Sequence, residues 1–590
     1  MTFHHDGSAL YVPVQAPALG ETVAVFVRGP VGGGAERVYV RSTPDGEPHF
    51  TEAVVDRVAD GEVWWRAELT VRNPVTNYRF ALVGSRGYRW LTSVGVVGHD
   101  VPDDTDFRLL AYPDTPAWAT DAIVYQIFPD RFARSAAAAS RSLPDWAIPC
   151  DWDTPVIGRG PETPFQFYGG DLDGIVEHLD HIQDLGANTV YLTPIFPARS
   201  NHRYNASSFD EIDPLLGGTA ALDRLARAVH DRGMRLLGDI TTNHTGDTHD
   251  WFTGMDRKDL YYVGPDGSYE SWWGVSTLPK LDWSSPELRE RFFDGPDSVT
   301  ARWLRFFDGW RVDVANMTGR LRAQDDAHDV ARLMAQAVRA ARADGLLVAE
   351  HAHDSTRDLD QGGWHGTMNY GGFLRPVWSW LGGSVPDTFL GVPGPIPRIT
   401  GADFVATMDG FASRTSWRSR QASWTLLGSH DTARIRTVAG SAELVELGVG
   451  MLATMPGTPM VFAGDEWGLL GVNGEDARRP MPWDRPDTWD TATHERYRAL
   501  LSLRAAQPAL RHGGMRFAHL SDDALAYWRE TAEDRILVLV RRCAGTPVTV
   551  DLGAAAAADN LYGGAALPLQ DGRGTLPGDG PTVQIWAIRR

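Results

Sequence analysis

The chain has 590 residues, 43% apolar and 22% charged, with 61 Gly and 37 Pro. That length exceeds one hydrophobic core and, at roughly 150 residues per domain, implies three or four units; the composition excludes collagen-like and largely disordered classes. A formal net charge of -20 and a pI near 5.3 argue against nucleic acid and anionic membrane surfaces as partners, so a neutral partner is expected.

The start, MTFHHDGSALYVPVQ, lacks a basic region followed by an apolar run, and no 18-residue apolar stretch follows, so a cytoplasmic, non-membrane protein is expected. Cys150 and Cys543 lie far apart in sequence, as suits free thiols in a reducing compartment. Residues 1–115 carry short alternating runs such as Thr22-Val-Ala-Val-Phe-Val27 and Asn77-Tyr-Arg-Phe-Ala-Leu82 between turn residues, which predicts an N-terminal β-sandwich.

From Asp121 the pattern changes. Leu172, Ile175, Val176, Leu179, Ile182 and Leu185 recur at helical spacing, stop at Gly186, and lead into Thr189-Val-Tyr-Leu-Thr-Pro-Ile-Phe196. Leu222, Leu225, Ala226 and Val229 lead likewise into a strand at Met234, and Val330, Leu333, Met334, Ala337, Val338 and Ala341 into one at Leu346. Eight strands, near 123, 189, 234, 309, 346, 368, 424 and 459, predict an α/β fold: a (β/α)8 barrel over 116–510. An aromatic-rich excursion over about 245–290 interrupts the rhythm as an inserted loop domain. Residues 511–590 return to short strands and predict a C-terminal β-sandwich.

Ionisable residues gather where the strands end: Asp239 with Asn243 and His244, Arg311 with Asp313, Glu350, and His430 with Asp431. In a parallel barrel those ends converge on one face, so residues a hundred positions apart share a pocket. Several carboxylates with no cysteine cluster or phosphate loop suit glycosidic cleavage, where one carboxyl protonates the leaving oxygen and another attacks the anomeric carbon.

Gly309-Trp-Arg-Val-Asp-Val-Ala-Asn316, Gly238-Asp-Ile-Thr-Thr-Asn-His244, Val348-Ala-Glu-His351 and Gly428-Ser-His-Asp431 resemble the four sequence blocks of glycoside hydrolase family 13, the α-amylase family. Tyr125-Gln-Ile-Phe-Pro-Asp-Arg-Phe132, Phe167-Tyr-Gly-Gly-Asp-Leu172 and Leu278-Pro-Lys-Leu-Asp-Trp283 resemble its neopullulanases, cyclomaltodextrinases and maltogenic amylases. The resemblance implies Asp313 as nucleophile, Glu350 as acid/base and Asp431 as third carboxylate. Arg311, His244 and His430 would complete the first subsite, with Tyr168 as its stacking ring and Asp239 and Asn243 supporting. Lys280 would stand on the acceptor side, and Arg478 would serve recognition of a non-reducing end.

The implied activity is retaining hydrolysis of α-1,4 bonds, with tolerance of α-1,6 bonds, in cyclic or short malto-oligosaccharides, a cyclic maltosyl-maltose included, by a homodimer formed through the N-terminal domain. The alternatives are a transglycosylase or isomerase, and an inactive carbohydrate-binding protein.

Four departures stand out. Ala133-Arg-Ser-Ala-Ala-Ala-Ala-Ser140 replaces the Asn/Asp-rich calcium loop of many relatives, so no obligatory metal or other cofactor is expected. His351 and Met317-Thr-Gly-Arg320 are unusual beside the acceptor side, and the acidic partner often found four residues before Arg478 falls on Gly474.

Overall fold

The computed structural model describes residues 2–254, 257–384 and 392–589. Its centre is a cylinder of eight parallel strands: β1 (Val124–Ile127), β2 (Thr189–Leu192), β3 (Arg235–Thr241), β4 (Gly309–Asp313), β5 (Leu346–Ala349), β6 (Gly366–Thr367), β7 (Trp424–Leu426) and β8 (Thr458–Phe462). Each strand pairs with its neighbour in sequence, and β8 returns to β1. A single parallel bridge, Met368 to Trp424, joins β6 to β7 and completes the ring. The expected barrel and all eight strand positions are thus present.

Helices cover the outside because their apolar residues recur on one face. In the helix Gly218–Asp231, Ala221, Leu222, Leu225, Ala226 and Val229 are buried, and in Ala327–Ala341 the buried set includes Val330, Met334 and Val338. The expected continuous helix from Leu172 is instead two short ones, Leu172–Glu177 and Leu179–Asp184. His178 breaks the run at φ −118°, and its ring stacks on Trp483 with centroids 4.0 Å apart.

In the N-terminal sandwich the strand His49–Ala59 belongs to both sheets. Its first half, to Ala53, pairs with Arg37–Ser42 and its second half, from Val54, with Glu62–Thr70, a bulge between Val55 and Arg57 interrupting the second ladder. Val25, Val27, Val38, Val40, Phe80 and Leu82 fill the space between. At the other end, a five-stranded antiparallel sheet faces a three-stranded one. Period-two alternation divides its strand Ala524–Glu530: Ala524, Ala526 and Trp528 face the smaller sheet, while Leu525 and Tyr527 join the barrel core.

Two buried arginines weld this sheet to the barrel. Arg504 and Arg529 both donate to the carbonyl of Leu510, at 3.0 Å each, and reach the last carbonyls of the helix Ala442–Thr454 through Ala453 and Thr454. Their charges meet the negative end of a helix dipole instead of a carboxylate. The N-terminal sandwich is tied in by Arg28, which pairs with Glu62 at 3.3 Å and with Glu530 on the C-terminal sheet, and by Asp6, which accepts the N–H of Met515 at 2.8 Å. No helix among the described residues is long and apolar enough to cross a membrane.

Candidate active site

Strand register assembles the site. Asp239 on β3 lies opposite Arg311 on β4, and the Glu350 N–H extends the β4–β5 ladder to the carbonyl of Val312 at 2.9 Å. Arg311 and Asp313, two positions apart on β4, share one face, while Trp310, just before Arg311, turns outward and donates to the carbonyl of Thr300. Gly309, at φ 153°, permits this crowding: a Cβ there would stand 2.1 Å from the carbonyl oxygen of Leu346.

Arg311 is the hub. Its Nη1 donates to Asp239 at 3.0 Å and to Asp313 Oδ1 at 2.9 Å, and its Nη2 stands 3.1 Å from Glu350 Oε2. The guanidinium is fully buried, so it is screened far less than a surface arginine would be. Side-chain exposure rises from 7% at Asp313 to 16% at Glu350 and 28% at Asp431, so Asp313 lies deepest and the other two face the opening.

Asp313 Oδ1 is held, but buried Oδ2 has no hydrogen-bond partner among the described residues; His244 Nε2 lies 3.9 Å away. Burial, then Glu350, Asp239 and Asp431, push the Asp313 carboxyl well above its usual range against the pull of Arg311. Burial lifts Asp239 to about 6, opposed by Arg311 and two tyrosine hydroxyls. Asp431 goes the other way: burial alone would raise it, yet His430, Arg478 and Arg311 together lower it. Crowded carboxylates around one arginine thus oppose ionisation of the whole cluster, whereas the cations about Asp431 favour its charged form.

The residue after Asp313 is unusual. Val314 has φ +46°, a left-handed conformation that costs a β-branched residue about 1–2 kcal/mol, and its N–H donates to Glu350 Oε2 at 2.9 Å.

Two residues not anticipated from the sequence organise the opposite wall. The Tyr204 hydroxyl donates to Asp239 Oδ2 at 2.9 Å and lies 2.7 Å from His430 Nε2, and its ring is nearly parallel to that of His430. Gln126 on β1 lies 2.9 Å from His430 Nδ1 through its amide nitrogen and accepts the His430 N–H at 3.1 Å. With Nδ1 accepting, Nε2–H points at Tyr204 and at Asp431, 3.1 Å away. Tyr204 belongs to the polar stretch His202-Arg-Tyr-Asn205 that follows β2. Gln126 lies within the Tyr125–Phe132 motif, where nothing in the sequence marks it as a partner of His430.

Most anticipated residues converge here: Asp313, Glu350, Asp431, Arg311, His244, His430, Asp239 and Arg478. Asn243 and Lys280 brace the wall. Lys280, 2% exposed, donates to Asn243 Oδ1 and to the carbonyl of Met317 at 2.9 Å, while Asn243 Nδ2 lies 3.1 Å from His244 Nδ1. Burial lowers the Lys280 ammonium to about 8, though Glu270 opposes it.

Tyr168 is a correction. It is fully buried, its hydroxyl donates to the carbonyl of Thr154, and Arg131 covers its ring at 4.3 Å, so that ring has no face to offer a sugar. Tyr204 holds the aromatic position beside the carboxylates.

The acid missing at Gly474 is supplied one residue later. Glu475 accepts Arg478 Nη1 at 3.0 Å with both oxygens, while Arg478 Nη2 reaches Asp431 Oδ1 at 3.0 Å. The two departures beside the acceptor side meet each other: Arg320 donates to both oxygens of Asp358, at 2.7 and 2.6 Å, and His351 Nε2 lies 3.6 Å from the same carboxylate.

A parallel barrel with acids at the ends of β4 and β5, both reached by one arginine, and a third after β7 is the architecture of an α-glycoside hydrolase, and the chain belongs to the α-amylase family. The family description "Alpha amylase, catalytic domain" matches residues 126–509. Within the family its group is that of the cyclomaltodextrinases, neopullulanases and maltogenic amylases. It is 32% identical over 527 residues to a cyclomaltodextrinase of a Bacillus species, covering 83% of this chain and 86% of that one. It is 30% identical over 463 residues to neopullulanase 2 of Thermoactinomyces vulgaris, covering 74% and 72%. Among solved structures, a cyclomaltodextrinase superposes with TM-score 0.75 at 26% identity over 99% of both chains. The cyclic α-maltosyl-(1→6)-maltose hydrolase of Arthrobacter globiformis, in complex with that sugar, superposes with TM-score 0.66 at 30% identity over 80% of this chain and 100% of its own.

Proposed function

We propose that the protein is a retaining hydrolase of cyclic or short malto-oligosaccharides, cleaving α-1,4 and also α-1,6 bonds and releasing maltose-sized products. The reaction belongs to residues 116–510, flanked by sandwiches of 1–115 and 511–590. Asp313 Oδ2 attacks the anomeric carbon while Glu350 gives its proton to the departing glycosidic oxygen. The bond to the leaving sugar breaks and a glycosyl ester on Asp313 forms. Water then attacks that carbon, Glu350 takes the water proton, and the carboxylate of Asp313 leaves. Asp431 and the His430–Tyr204 pair receive the hydroxyls of the sugar being cleaved, and His244 lines the subsite.

The observation that carries this reading is the unpartnered, buried Asp313 Oδ2 beside an anchored Oδ1: one oxygen is positioned and the other kept for attack. Arg311 touches both Asp313 and Glu350, which favours the short carboxyl separation of double displacement, about 5 Å, over the wider one of inversion. Cyclic mixed-linkage sugars are included because Arg320, Asp358 and His351 remodel the segments that follow both acids.

Further features support the remaining parts of the proposal. Val54, Val55 and Val58 are about 60% exposed on the N-terminal sandwich, which favours a homodimer through that domain. Free Cys150 and Cys543 suit the cytoplasm. No metal is required: Asp171, near the segment where relatives hold calcium, already accepts Arg141 and Ser135 at 2.6 Å each.

The test is hydrolysis of γ-cyclodextrin, maltotetraose, pullulan and a cyclic maltosyl-maltose, with the first-formed product read by proton NMR. An α-anomer, abolished by Asp313→Asn, is expected. A β-anomer refutes retention, glucosyl transfer without reducing sugar favours the transglycosylase alternative, and turnover by Asp313→Asn refutes the nucleophile.

A further inference from the structure

The aromatic-rich excursion has no role so far beyond bracing. Most of its rings are structural: Tyr261 and Trp283 are buried, and Trp283 donates to the carbonyl of Thr242. Trp273 is the opposite case. It is 79% exposed and occupies the tip of a turn in which the Val275 N–H returns to the carbonyl of Trp272 at 2.9 Å. Both central residues of this turn are left-handed, Trp273 at φ 51° and ψ 26° and Gly274 at φ +77°. Such a turn selects Gly, Asn or Asp, and a tryptophan there is neither conformationally favoured nor hidden from water. Local folding gains nothing from the ring, so its presentation needs another cause.

The position of the turn supplies one. Trp272, next in the chain, lies 6.1 Å from the His244 ring, and His244 is 3.9 Å from Asp313 Oδ2. The arm is anchored at its base: the Lys280 N–H bonds the carbonyl of Glu270 at 2.9 Å, the Trp272 N–H bonds Leu278 at 3.0 Å, and Glu270 pairs with Arg322 beyond the nucleophile's strand. It therefore approaches the carboxylates from the His244 side, whereas Arg478 and Glu475 approach from the Asp431 side.

We infer that Trp273 is a sugar-stacking platform: it takes the apolar face of a glucosyl ring of a malto-oligosaccharide, beyond the rings held at the carboxylates. This inference rests on the proposed substrate class and adds a subsite to it. An indole has only two side-chain torsions to fix, so it loses little side-chain freedom when a flat ring settles on it, which suits a platform.

Binding without turnover tests it. Maltotriose and maltoheptaose are titrated calorimetrically into Asp313→Asn protein, and into Glu350→Gln protein should the first prove unstable, with and without Trp273→Asn or Trp273→Phe. Asparagine suits the left-handed turn better than tryptophan, so Trp273→Asn should keep or raise the melting temperature. It should weaken maltoheptaose binding about five- to tenfold more than maltotriose binding, and Trp273→Phe should restore most of the difference. Equal losses for the two sugars, no loss, or a change confined to the sedimentation coefficient overturns the inference, the last by making Trp273 a contact between copies. Because binding is read directly, sugars that bind with this length dependence but are not hydrolysed by the unaltered enzyme would refute the proposed reaction and leave the platform standing.

Discussion

Replacing Arg311 by methionine keeps much of the side chain's bulk and removes the one guanidinium that, among the described residues, touches Asp239, Asp313 and Glu350 together. Removing one member of a buried ion pair costs about 3–5 kcal/mol when the remaining charge stays ionised. Here the carboxyls have a way out: they bind protons, and their already elevated range at Asp313 and Asp239 rises further. A carboxyl whose folded-state pKa lies above its unfolded value stabilises below the unfolded value and loses that contribution as pH rises through the folded one. The Arg311→Met protein should therefore be destabilised little near pH 5 and by about 3–5 kcal/mol near pH 8. Its kcat should fall at least about a thousandfold, since a preorganised positive charge beside the nucleophile is lost. Thermal melts of both proteins at half-unit intervals between pH 5 and 8.5 read the difference. A gap in melting temperature that does not widen with pH would refute the view that Arg311 compensates these carboxylates.

Two other outcomes follow from the same physics. Lys280, with its ammonium lowered to about 8, should impose an alkaline limb on kcat/KM as it loses its proton and releases Asn243 and Met317; Lys280→Met should remove that limb at lower overall activity, checked by pH–rate profiles. Arg529→Met should cost about 3 kcal/mol in urea unfolding, because the carbonyl of Gly513 loses its guanidinium donor at 2.7 Å and that of Thr454 loses one too, while kcat of the surviving folded protein stays unchanged.

The barrel was legible because two periods alternate cleanly: helices such as Gly218–Asp231 bury a 3.6-residue stripe and end in glycine, and the strands that follow are short apolar runs. The acids were legible for a related reason, since an Asp or Glu closing an apolar strand stands out. Tyr204 and Gln126 did not, because a neutral side chain gains its role only from partners such as His430, hundreds of positions away for Gln126. Tyr168 misled because a Tyr-Gly-Gly turn looks open in sequence, whereas Arg131 covers the ring in space. Glu475 was hidden by counting from Arg478: the short helix Gly474–Ala477 presents the carboxylate one residue later than the expected spacing.

The cylinder's seam has a mechanical meaning. β4, which ends in Asp313, is gripped by four paired residues on each side, whereas β6 offers β5 only two pairs and reaches β7 through the single Met368–Trp424 bridge. When such a ring breathes it opens where the fewest bonds must break, so amide exchange should be fastest along the border of β6. The strand leading to Glu350 adjoins that border and the strand bearing Asp313 does not. One reacting group therefore stands on a rigid post, and the other on a post with some give, on the side where a leaving sugar must be protonated, released and replaced by water.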